Sequence, residues 1–68
     1  GRGETNSESY GSMLMSMADI EYEQERYEQQ LEWLLRAEAV MRQYPDHPNY
    51  ATVIGDLAVC YEQLQRPE

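Results

Sequence analysis

Two segments forty residues apart carry nearly the same residues. Met17-Ala18-Asp19-Ile20-Glu21-Tyr22-Glu23-Gln24 is matched by Leu57-Ala58-Val59-Cys60-Tyr61-Glu62-Gln63. An apolar pattern of helical period lies between them, followed by the break Tyr44-Pro45-Asp46-His47-Pro48. Repetition at this period, built of helices and punctuated by proline, is the signature of a stacked helical solenoid. Units of that kind bury their apolar faces against one another and present surfaces to other proteins. About one and a half of them fit into 68 residues.

The apolar spacing divides the chain into segments. Residues 1–6 are polar and read as a disordered tail or a cloning remnant beginning Gly1-Arg2-Gly3. Thr5 and Glu8 have the spacing of a capping box. Tyr10, Met13, Leu14, Met17 and Ile20 keep the i, i+3, i+4, i+7 spacing of one helix face, although Gly11 within it costs about 1 kcal/mol relative to alanine. A second set runs through Tyr27, Leu31, Leu34, Leu35, Val40 and Met41, with Trp33, Ala37 and Tyr44 widening the stripe. That breadth suits an inner helix touching neighbours on two sides. Pro45 ends this helix at Tyr44. Asp46 is then placed to cap a third helix with Pro48 in its first turn, and that helix carries Tyr50, Val53, Ile54, Leu57, Cys60, Tyr61 and Leu64 until Pro67. Residues 12–44 contain neither glycine nor proline. They could form one helix of about 50 Å, or two joined at the polar tetrad Glu23-Gln24-Glu25-Arg26. Two antiparallel helices bury the apolar area locally, so a turn near Glu25 is expected. The predicted organisation is a helix pair over 7–45 and a further helix over 46–68.

Composition limits the function. Thirteen acids stand against five arginines and no lysine, giving a net charge of −8. Nucleic-acid binding requires phosphate-neutralising cations, and anionic membrane surfaces require them too; neither is expected. A basic protein or peptide partner is favoured. No apolar run approaches the roughly 18 residues of a membrane span. Cys60 has no partner in the chain, which fits a reducing, cytoplasmic setting.

The same residues resemble a tetratricopeptide repeat. Met17-Ala18 stands at that pattern's Leu-Gly/Ala pair and Tyr22 lies one place beyond its usual tyrosine. Tyr27 follows the turn, Ala37 is the small residue of the second helix, and Pro45 closes the unit. Asp46-His47-Pro48, then Ala51-Thr52, Leu57-Ala58 and Tyr61, is similar to the long-period variant of kinesin light chains. Glu25 stands where glycine is common, and Gln30 stands where the second helix normally has alanine, which predicts looser packing of the first helix pair. The resemblance implies an all-α fold: an antiparallel helical hairpin plus one additional helix.

It also implies which residues face a partner. By position, the groove-lining candidates are Ser12, Met15, Ser16, Asp19 and Glu23 on the first helix and Thr52, Gly55, Asp56, Val59 and Gln63 on the third. A carboxylate-clamp ligand site needs Lys, Arg and Asn there, so acids and small residues point instead to a basic or N–H-rich ligand. The stretch Met17–Glu28 holds five acids against Arg26 alone, and Asp19/Glu23 and Glu21/Glu25 are like-charge i, i+4 pairs that a cationic partner would relieve. Glu32/Arg36, Glu38/Arg42 and Glu62/Arg66 have the spacing of favourable pairs. His47 lacks a second ligand at metal spacing, Cys60 lies on an apolar face as a core thiol, and Trp33 is read as core. No cofactor, metal or catalytic residue is expected.

The reading is therefore a non-catalytic interaction module with an acidic groove. Ile54, Leu57, Tyr61 and Leu64 should be partly uncovered on a third helix that lacks a partner, which favours self-association or a longer repeat array. The competing reading is a self-sufficient oligomeric structural or regulatory protein with one long helix over 12–44.

Overall fold

Three helices form among the described residues, and local chemistry sets most of their ends. The computed structural model describes residues 8–65; the Thr5 cap, Arg66 and Pro67 lie outside them. Helix α1 spans Glu8–Glu23, α2 Tyr27–Met41 and α3 Pro48–Gln65. The turn thus falls within the polar tetrad, at 24–26, and the single helix over 12–44 does not occur. Its closure is a Schellman motif. The Arg26 N–H donates to Glu21 O at 2.8 Å and the Glu25 N–H to Tyr22 O at 2.9 Å, with Glu25 at φ 61°. Glutamate occupies this left-handed position without the freedom glycine would have there.

The second connection starts earlier than Pro45 alone requires. α2 ends at Met41, and the chain tightens as the Gln43 N–H donates to Val40 O and the Tyr44 N–H to Met41 O. His47, rather than Asp46, caps α3: its Nδ1 accepts the Asn49 N–H at 3.0 Å. That bond leaves Nε2 as the nitrogen facing Glu8 Oε1, 3.3 Å away. A side chain expected to be incidental therefore ties the start of α3 to the start of α1.

α2 packs between the other two helices. Gly11 near the start of α1 faces Val40 and Met41 at the end of α2, so these two are antiparallel. Cys60 late in α3 reaches Tyr27 O at the start of α2, so the second pair is antiparallel too. The core is Leu14, Ala18, Leu34, Ala37, Val40, Met41, Val53, Leu57 and Cys60. Close packing of the first pair uses small residues: α1 buries Gly11, Leu14 and Ala18, while Met13 and Ile20 of the expected stripe are 47% and 48% exposed. Leu57, expected on the uncovered face of the third helix, is instead covered. It is 9% exposed and belongs to the core, because the face of α3 that meets α2 is Val53, Leu57 and Cys60.

Candidate partner-binding groove

Helices α1 and α3 lie side by side across α2 and run in the same direction. Asn49 Nδ2 donates to Ser12 Oγ at 2.7 Å. Two turns further along, Asp19 and Tyr22 of α1 share a recess with Asp56 and Val59 of α3. Each of these pairs (12/49, 19/56, 22/59) is offset by 37 residues, which fixes the register across the groove. The recess encloses about 250 Å³, and Gln30 of α2 completes its lining.

Of the predicted groove residues, this recess unites Asp19, Asp56 and Val59. Ser16 and Glu23 are exposed on α1, and Met15 is half-buried against the core. Thr52 is exposed, but its hydroxyl donates to Pro48 O at 3.2 Å. Gln63 is half-buried and engaged, and Gly55 is open to solvent. Tyr22 and Gln30 are lining residues not among the expected groove set. Gln30 carried a signal all the same, as a long polar residue at a small-residue position.

The recess is electrostatically unsatisfied. Burial, and then the neighbouring Asp19 carboxylate, push the Asp56 carboxyl above its ordinary value. Gln30 is 5% exposed, and its Oε1 is buried without a hydrogen-bond donor among the described residues. An orphaned acceptor of this kind costs about 1–3 kcal/mol.

Other singled-out side chains have structural surroundings. Trp33 is half-buried; its Nε1 donates to Glu21 Oε2 at 3.4 Å and Arg36 lies over its ring at 5.2 Å. Arg36 thus has a stacking partner where a Glu32 pair was expected. Arg26 Nη1 lies 3.7 Å from Glu21 Oε1, and Arg42 pairs with Glu38 at 2.6 Å, as the spacing predicts. The Cys60 thiol is buried, donates to Tyr27 O at 3.2 Å, and is pushed up by burial. Among the described residues no three His, Cys, Asp or Glu side chains converge to hold a metal, and no helix is long and apolar enough to cross a membrane.

Two apolar faces remain uncovered. On α3, Ile54, Tyr61 and Leu64 are 37–43% exposed; on α1, Met13 and Ile20 are exposed in addition to Tyr22 in the groove. The forty-residue echo relates them. Met13, Met17 and Ile20 correspond to Val53, Leu57 and Cys60, which pack on α2, while Ile54, Ala58 and Tyr61 correspond to Leu14, Ala18 and Glu21, which face α2 from its other side.

A hairpin of antiparallel helices followed by a third parallel to the first is the architecture of one and a half helical-repeat units. A family model for the tetratricopeptide repeat matches residues 9–68, and the chain belongs to that family. No curated protein and no solved structure gives a significant match.

Proposed function

We propose that the chain is a non-catalytic module whose α1/α3 groove takes a basic segment of a partner protein. The Asp19–Asp56 recess carries this reading, since two carboxylates from different helices share a wall although Asp56 is partly desolvated. Glu23, one turn beyond Asp19, extends the acidic edge, and Met15, Ser16, Thr52, Val59 and Gln63 supply the remaining candidate surface. Selectivity would come from the carboxylates and affinity from apolar anchors. A reducing, cytoplasmic location suits the unpaired Cys60 thiol. The test is calorimetry with a lysine- and arginine-containing peptide against its acidic counterpart. Binding of the basic peptide alone, weakening as salt rises, is expected; equal binding of both, or none, refutes the reading.

The uncovered faces favour a second role, contact with neighbouring helices. Each exposed face repeats one that packs on α2 elsewhere in the same chain, so an α2-like helix from a further repeat or an exchanged copy would fit both. Ile54→Ser with Tyr61→Ser should abolish concentration-dependent sedimentation while leaving the fold intact, because neither residue is in the core. A wild-type chain that sediments as a monomer at all concentrations refutes self-association.

A further inference from the structure

Within the acidic groove, we propose that the recess formed by Asp19, Asp56 and Gln30 is a subsite for one guanidinium group, an arginine side chain of the partner. The proposal rests on the basic-segment reading above and narrows it to one cation. Three residues with oxygen-bearing side chains line the recess from three helices: Asp19 on α1, Asp56 on α3 and Gln30 on α2. Gln30 is the decisive member. An acidic cluster alone is compatible with a solvated surface, but Gln30 is 95% removed from solvent and its carbonyl oxygen has no donor among the described residues. A carbonyl oxygen accepts and cannot donate, so the missing partner is an N–H or O–H group.

The arrangement favours arginine over lysine. A guanidinium offers five N–H donors in a plane, so it can bridge acceptors on separate walls, whereas an ammonium is a compact and more strongly hydrated point charge. Tyr22 and Val59 complete the lining. An aromatic and an aliphatic side chain give the flat, weakly hydrated face of a guanidinium a surface to stack on. The volume of about 250 Å³ is far larger than a single water needs.

The test uses the full chain, labelled with ¹⁵N. It is titrated with two blocked peptides identical except for one central Arg or Lys, and with argininamide. The Arg peptide should shift the Gln30 side-chain amide and the Asp56 backbone resonance and bind at least five-fold more tightly than the Lys peptide. Argininamide should shift the same resonances. Asp56→Asn should weaken Arg-peptide binding about ten-fold, while Glu28→Gln, outside the recess, leaves it unchanged. Equal affinity for the two peptides would overturn the guanidinium subsite and leave the basic groove standing; no shift with either would remove both. Argininamide failing where the peptide binds would mean that backbone rather than guanidinium is read, and the subsite would be wrong.

Discussion

Replacing Gly11 with alanine sets two effects against each other. Alanine in a helix gains about 0.5–1 kcal/mol over glycine. A Cβ at Gly11, however, would collide with the Met41 sulfur and stand 3.1 Å from Met41 Cγ and 3.4 Å from Val40 Cγ1. Met41 is fully buried, so its side chain must find a new rotamer inside a packed interior, and overpacking of this kind costs about 1–3 kcal/mol. The packing loss wins, and Gly11→Ala should destabilise by about 0.5–2 kcal/mol. Gly55 is the control. It also lies within a helix, but nothing stands within 4 Å of its Cβ position, so Gly55→Ala should realise the gain of about 0.5–1 kcal/mol. Urea unfolding followed by far-UV circular dichroism measures both, and the difference between the two variants isolates the packing contribution. For a domain of this size each 1 kcal/mol moves Tm by about 4–8 °C. In a Met41→Ala background, stabilised with sucrose, the obstruction is gone and Gly11→Ala should turn favourable. Equal stabilisation by the two glycine substitutions would refute the close approach of α1 and α2 at this point.

Glu25→Gly should stabilise the chain by about 0.5–1 kcal/mol, since it removes the left-handed strain at φ 61° while preserving the Schellman hydrogen bonds; urea midpoints check it. Asp56→Asn should stabilise by a few tenths of a kcal/mol at neutral pH. The native carboxyl value is raised, so this group favours folding below the ordinary carboxylate range and loses that contribution as pH rises through the raised value; the benefit of the substitution should vanish near about pH 3. Cys60 should react with a thiol reagent only through opening of the fold, because burial raises its thiol and Tyr27 O accepts its proton. Its labelling rate should rise in Gly11→Ala and fall in Gly55→Ala.

Helix existence was legible because apolar periodicity and the proline break are local signals. The packing face of α1 was not. Tyr10, Met13, Leu14, Met17 and Ile20 satisfy helical spacing, but hydropathy overlooks small residues, and Gly11 and Ala18 are what let α2 approach. On α3 the apolar residues occupy two sides, so periodicity alone does not choose between them: Leu57 lies on the side that meets α2, while Ile54 and Tyr61 lie on the other. Asp19 and Asp56 were reachable through the family resemblance, which places both in the groove. Their company with Tyr22 and Gln30 depends on the 37-residue register between α1 and α3, and no local pattern encodes it. The usual capping residues are Ser, Thr, Asp and Asn, which points to Asp46, whereas here the His47 ring nitrogen accepts the Asn49 N–H.

The locally unfavourable choices among the described residues fall in two places. Glu25 strains a turn and Glu21 Oε1, outside the recess, is a buried acceptor without a hydrogen-bond donor, while the Asp19–Asp56 proximity and the orphaned Gln30 carbonyl meet within the recess. Sequences depart from local consistency most often where function requires it, and the recess is one place in this chain where two such departures meet. It also makes a trade-off testable. Leucine at position 30 approximates the volume of glutamine and removes the buried unsatisfied acceptor, so Gln30→Leu should stabilise the chain by about 1 kcal/mol. If the carbonyl is kept for a partner's donor, the same substitution should weaken arginine-peptide binding while the fold gains stability. Gln30→Leu that lowers stability would mean the carbonyl already has a donor, such as a bound water, in the free protein. The argument from its orphaned oxygen would then fail.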